Sequence, residues 1–239
     1  MPDSASHTIV TGGASGIGAA VVADLLHRGH EVTVFDLTEI AADDHGSLVV
    51  DVLDEAAVSA AVDLAAAERG RVTGVVACHG IRGAYVPAVE IELASVRRLF
   101  DVHVVATLSV CREVVRRLDS RPGSIVLISS TTAYRGWANQ ADYGPAKSAV
   151  SQLMQNLAIE WATLGVRVNA VAPGHTRTPM VEDLVAAGYD LDQVRSRAPL
   201  GRLAEPDEVA GAITYLLCDA TFVTGQCLAV DGGWTVVGK

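Results

Sequence analysis

Short runs of β-branched and apolar residues alternate with longer stretches of helical periodicity from one end of this chain to the other. The runs are HTIVTG, HEVTVFD, SLVVDV, VTGVVAC, SIVLISS, VRVNAVAP and QCLAVDGG, and each predicts a strand. Between them, residues 54–69, 95–119, 146–164 and 206–217 carry apolar residues at helical spacing and predict helices. Strands separated by helices pair in parallel through crossovers, and strands that are apolar nearly throughout are buried on both faces. The pattern therefore predicts an α/β fold: one domain over residues 1–239, a doubly wound parallel sheet of about seven strands flanked by helices. One long segment, 175–203, breaks the rhythm after the sixth strand, where a ligand-covering lid would lie.

Composition narrows the picture. Half of the 239 residues are hydrophobic, enough for one large core of the Rossmann type, and no repeat or linker divides it. A formal charge of −10 repels polyphosphate backbones and anionic lipid, which argues against nucleic acid or a membrane surface as partner. Cys78, Cys111, Cys218 and Cys227 are scattered without metal-ligand spacing and are read as reduced packing residues. The opening MPDSASHTIV has neither a basic region nor an apolar one, and the expected location is cytoplasmic.

The first chemical signal follows the first strand. Thr11 leads into GGASGIG, with Gly12, Gly16 and Gly18 in a TGxxxGxG spacing around Ser15 and Ile17. Glycines allow a tight turn in which backbone N–H groups approach a pyrophosphate, and the following helix start favours its charge. Asp36 ends the second strand, where a carboxylate accepts hydrogen bonds from ribose hydroxyls and opposes a 2′-phosphate by about 1–4 kcal/mol. With no cation at Ser15 or Leu37 to compensate, the expected cofactor is NAD, with NADP disfavoured.

The second signal is Tyr143 with Lys147. Arginine is plentiful here, yet only Lys147 and the terminal Lys239 are lysines. Positions i and i+4 share a helix face, and Pro145 requires that helix to begin close to Gly144. A phenol accepts protons poorly near neutral pH, and a nearby ammonium favours its ionised form. Ser129 and Ser130 close the fifth strand on opposite faces, so only one addresses the same point.

With these motifs in register, the chain resembles the short-chain dehydrogenase/reductase family along its whole length. The resemblance maps that family's serine, tyrosine and lysine onto Ser130, Tyr143 and Lys147, the thirteen-residue step selecting Ser130. It implies that tyrosine is the acid/base for hydride exchange between a secondary alcohol, cyclic in one version of the reading, and a ketone. PGHTRT resembles a PGxxxT segment and implies Pro173, Gly174, Thr176 and Thr178 beside the cofactor, with Asp51 and Val52 near adenine and Gly80 also in contact. DGGW resembles the terminal strand signature, and a homotetramer is implied. Two departures stand out. Ala77, Cys78, His79 and Gly80 replace Asn-Asn-Ala-Gly, with His79 read as structural, and His103 falls where the family has a catalytic asparagine. His103 is expected to join a proton relay, since histidine titrates near neutral pH. A dinucleotide-binding regulator without catalysis is the competing reading. Substrate-pocket candidates are Arg82, Tyr85, residues 131–137, His175, Arg177 and the lid.

Overall fold

A computed structural model describes residues 6–40, 44–186, 188 and 190–237. Lys239 lies outside them, as do Ala187 and Tyr189 of the expected lid. The strands are β1 (His7–Thr11), β2 (Glu31–Asp36), β3 (Gly46–Val49), β4 (Val72–Ala77), β5 (Gly123–Ile128), β6 (Val166–Pro173) and β7 (Cys227–Val230). They form one parallel sheet in the order β3-β2-β1-β4-β5-β6-β7. The order reverses between β1 and β4, the position where ligands lodge in open α/β sheets.

Alternation along each strand divides the core. Ile9, Val75 and Ile125 face one layer, made by α2 (Glu55–Arg69), α4 (Ala106–Val115) and α5 (Tyr143–Glu160). Their neighbours Val10, Val76 and Val126 face the other, packed on α1 (Gly16–His27) and α8 (Pro206–Thr214). Helix starts follow local chemistry. Asp54 accepts hydrogen bonds from Ala56 N and Ala57 N at 3.0 Å to begin α2, and Asp142 caps α5 with Pro145 in its first turn.

The expected helix over 95–119 is broken in the structure. Leu93–Phe100 forms α3, Asp101–Val105 forms a π turn, and α4 follows. A second π turn, Tyr215–Asp219, ends α8. An inserted residue leaves the apolar spacing nearly intact, so periodicity does not reveal it. The predicted third strand is shorter than expected, and Asp51 and Val52 lie beyond its end. The lid segment holds two helices, α6 (Pro179–Ala186) and α7 (Leu191–Arg197). Its base is closed by Arg177 N donating to Ala204 O at 2.9 Å and Ala204 N to His175 O at 3.0 Å. Among the described residues no helix is long and apolar enough to cross a membrane, no His/Cys/Asp/Glu group is arranged for a metal, and the four cysteines are free.

Arg167 fastens the second π turn to the sheet. Its guanidinium donates to Leu216 O, Leu217 O and Ser124 Oγ, each at 2.8 Å, and to Val223 O at 3.3 Å. Arg167→Met takes this donor from the Leu216 and Leu217 carbonyls, while Val223 O keeps Asn169 Nδ2 at 2.8 Å, and is expected to cost about 2–4 kcal/mol in urea unfolding. Arg167→Lys is expected to restore less than half, because one ammonium cannot span the acceptors.

Candidate active site

The carboxyl ends of the strands open into a cleft of about 440 Å³. Every catalytic and cofactor-binding residue expected from the sequence lines it. Gly12, Ser15, Gly16, Ile17 and Gly18 come from the β1–α1 turn, Asp36 and Leu37 from the end of β2, and Asp51 and Val52 from beyond β3. Gly80 and His103 line the middle, and Ser130, Tyr143 and Lys147 line the part reached from β5 and α5. Pro173, Gly174, Thr176 and Thr178 close it from β6.

The glycine turn has no room for side chains. A Cβ on Gly12, whose φ is +66°, would stand 2.7 Å from His79 Cα, and one on Gly18 would stand 2.1 Å from Gly12 O. Asp36 braces the turn, accepting from Ala14 N at 3.0 Å and Thr38 N at 3.1 Å. Ser15, the residue just before α1, makes no side-chain cap, so its hydroxyl does not occupy the first helical N–H groups. At the other wall Gly174 packs so closely that a Cβ would lie 2.8 Å from Asp231 Cα.

The two serines divide as the pleat requires. Ser129 turns to α5, bonding Ser151 Oγ at 2.7 Å and Lys147 O at 3.2 Å. Ser130 lines the cleft beside Tyr143, receiving Thr132 Oγ1 at 3.0 Å and Thr132 N at 3.2 Å. Lys147 Nζ lies 5.6 Å from the Tyr143 ring centre and donates to Ile128 O at 2.9 Å. Burial acts on both ionisable groups: it pushes the Tyr143 phenol up to about 12, partly offset by Ser130, and the Lys147 ammonium down to about 8. The expected lowering of the phenol is thus not found: removal from water dominates, and Ser130 offsets it only in part.

Two histidines support this wall. His79 joins Thr11 Oγ1 at 2.5 Å to the π-turn carbonyl of Val102 at 3.0 Å, the structural part expected of it. His103 sits in that π turn, its Nε2 3.0 Å or less from one partner: the Ile81 carbonyl, at 2.9 Å. Its ring meets the Tyr143 ring edge-on at 5.6 Å. Burial, then the nearby Lys147, push His103 down to about 2, which corrects the expectation that it titrates near neutral pH. It is a neutral imidazole donating from Nε2. Asp142, fully buried and not singled out in the sequence, accepts from Tyr143 N at 2.7 Å and Ala84 N at 2.8 Å. It thereby ties the 80–84 loop to the start of α5.

Of the pocket candidates, Arg82, Tyr85, Thr131, Thr132 and His175 line the cleft. Arg177 does not: it pairs with Glu205 at 3.0 Å, a use that sequence spacing does not disclose. Trp137 belongs to the rim, stacked on Trp234 at 5.3 Å with the Arg197 guanidinium of α7 over it at 5.2 Å. Gln140 was not foreseen, because nothing in a loop's periodicity marks it. It lines the cleft, and its Oε1 is buried without a hydrogen-bond partner among the described residues.

A family model described as enoyl-(acyl carrier protein) reductase matches residues 12–235. The chain is 41% identical over 245 residues to cis-4-hydroxycyclohexanecarboxylate dehydrogenase of Sinomonas cyclohexanicum, covering 96% of each. It is 35% identical to 2,5-dichloro-2,5-cyclohexadiene-1,4-diol dehydrogenase of Sphingobium indicum, covering 99% of this chain and 100% of that one. Among solved structures, Thermoplasma acidophilum aldohexose dehydrogenase superposes with a TM-score of 0.91 at 29% identity, covering 98% of this chain and 95% of the other. Levodione reductase gives 0.91 at 27%, covering 97% and 98%.

Lys147 links the site to stability. Its folded value of about 8 lies below the ordinary 10.5, so between those pH values the unfolded chain binds more protons and stability rises with pH. The penalty of burying the ammonium is complete below about pH 8 and is relieved above it. Relative to Lys147→Met, the ligand-free wild-type chain is expected to gain about 1–2 kcal/mol in urea unfolding between pH 7.5 and 9.5. A difference independent of pH would contradict the burial argument.

Proposed function

The chain belongs to the short-chain dehydrogenase/reductase family, and from that premise we propose that it interconverts a cyclic secondary alcohol and its ketone with NAD. The observation that carries the proposal is one continuous cleft shared by a side-chain-free glycine turn, the Asp36 carboxylate at the end of β2, and the Ser130, Tyr143 and Lys147 set. The residues fit a dinucleotide. Gly12 and Gly18 keep the turn low, α1 offers its N-terminus to a pyrophosphate, and Asp36 suits ribose hydroxyls. Two relatives named for dehydrogenation of ring alcohols support the substrate class.

When bound, the nicotinamide gives or takes the hydride. The chain's residues handle the oxygen and its proton. Ser130 Oγ holds the substrate oxygen beside the Tyr143 hydroxyl. In oxidation the tyrosinate takes the alcohol proton, and in reduction the phenol returns it to the carbonyl oxygen. A phenol held near 12 needs positive charge to ionise, about 1.4 kcal/mol for each unit of lowering. Lys147 supplies part of that charge and keeps N–H groups beyond its bond to Ile128 for the cofactor ribose. Neutral His103 acts by position: Nε2–H holds Ile81, while Nδ1 is left to accept a hydrogen bond without taking up the proton. Asp36 disfavours the 2′-phosphate of NADP. A cytoplasmic homotetramer belongs to the same reading through family resemblance.

The test is absorbance at 340 nm during incubation with cyclic alcohols and ketones and each cofactor. Turnover with NAD supports the reading, and silence across the panel with both cofactors refutes it in favour of a binding protein. Tyr143→Phe is expected to lower kcat by about 10³-fold or more while NAD still quenches protein fluorescence with a Kd within about threefold of wild type. Asp36→Ala is expected to raise the NADP-to-NAD ratio of kcat/KM by about tenfold or more. An unchanged ratio would remove Asp36 from cofactor choice.

A further inference from the structure

The charges lining the cleft are sorted by sign. Among the described residues its carboxylates are Asp36, which ends β2, and Asp51, which lies beyond β3. The lysine and arginines lining it are Lys147, Arg82 and Arg98. Lys147 is engaged with Ile128, whereas Arg82 has neither ion pair nor hydrogen bond among the described residues. The Arg98 side chain of the same cleft shares that state, as do those of Arg97 and Arg121 outside it. Arg28, Arg69, Arg71, Arg112, Arg117 and Arg202 all pair with carboxylates.

The backbone that carries Arg82 is held on both sides. Ile81 O accepts from His103 Nε2 at 2.9 Å, and Ala84 N donates to Asp142 Oδ2 at 2.8 Å. Gly83 packs against the start of α5 so closely that a Cβ there would lie 3.0 Å from Tyr143 Cβ and 2.7 Å from Asp142 Oδ1. Arg82 therefore leaves a fixed loop immediately beside the tyrosine, at the opposite end of the loop from the contact between His79 and the glycine turn. A guanidinium presents a planar fork of N–H donors that matches a carboxylate with two parallel hydrogen bonds.

We propose that Arg82 binds a carboxylate carried by the substrate ring, so that the chain acts on cyclic hydroxy acids and their keto acids. This rests on the dehydrogenase reading of the same cleft and names the substrate class within it. Arg82 is the specificity residue. Arg98 adds to the positive field without being required for the paired geometry.

The experiment compares cyclohexanol bearing a ring carboxylate with the isosteric carboxamide in the wild type, Arg82→Gln and Arg97→Gln. Arg97 lies on α3 but outside the cleft lining, so its variant removes the same charge without the fork. The wild type is expected to favour the carboxylate by about 10- to 100-fold in kcat/KM, mainly through KM. Arg82→Gln is expected to bring the ratio to within about threefold of one, and Arg97→Gln to preserve it. Fluorescence-measured Kd for NAD is expected to stay within about threefold of wild type in Arg82→Gln. A second readout needs no turnover: with NAD present, cyclohexanecarboxylate is expected to raise the Tm of the wild type and not of Arg82→Gln. The proposal is overturned by equal use of acid and amide, by a preference or Tm shift that survives Arg82→Gln, by its loss in Arg97→Gln, or by weakened NAD binding instead of weakened acid binding. Failure of all alcohols and ketones in the 340 nm assay sinks the dehydrogenase reading. The Tm comparison then still decides whether Arg82 holds a carboxylate.

Discussion

Parallel pairing is the constraint from which the site follows. In a sheet whose seven strands run the same way, every carboxyl end opens on one edge, and every crossover returns behind it. Thr11 lies level with Phe35 and Ala77, and Ile128 with Val171, so loops distant in sequence meet along a single groove. The reversal of order between β1 and β4 parts the helices there and leaves the groove open. An antiparallel arrangement would have sent half of these loops to the far side.

Dryness then sets the chemistry of that groove. Burial raises Tyr143 and Cys78 to about 12 and lowers Lys147 to about 8 and His79 to about 4. Each shift favours the uncharged form. The wall is therefore poor in mobile charge, and a positive charge brought in by a ligand acts on Tyr143 through little intervening water. The supports of the wall are neutral or internally satisfied: the Asp142 carboxylate on two backbone N–H groups, His103 on Ile81, His79 between Thr11 and Val102. They fix the geometry without competing for the proton.

Much of this was legible from residue order. The seven strands could be read because strands buried on both faces are apolar along their whole length. The glycine turn and the Tyr143–Lys147 spacing could be read because tight backbone approach and a shared helix face each demand particular residues at particular intervals. The π turns could not, since one inserted residue hardly alters a helical pattern. Nor could Asp142 or Gln140, whose neighbours are set by a loop path. Arg177 and Arg82 looked alike as arginines near the mouth. Only the fold shows that Glu205 pairs with the first and that, among the described residues, no carboxylate pairs with the second. His103 looked titratable, and its burial is a tertiary property.

The central claim is that Tyr143 is the proton-handling group of a cleft that a bound nicotinamide completes. Its most direct measure is the tyrosinate absorbance near 295 nm, followed against pH with and without NAD and compared with Tyr143→Phe. The result expected is one ionisation near 12 in the free chain that moves down by two or more pH units (roughly 3 kcal/mol) with NAD and is missing from the variant. With the other four tyrosines subtracted through Tyr143→Phe, a remaining ionisation indifferent to NAD, or an NAD-dependent one that persists in the variant, would contradict the account.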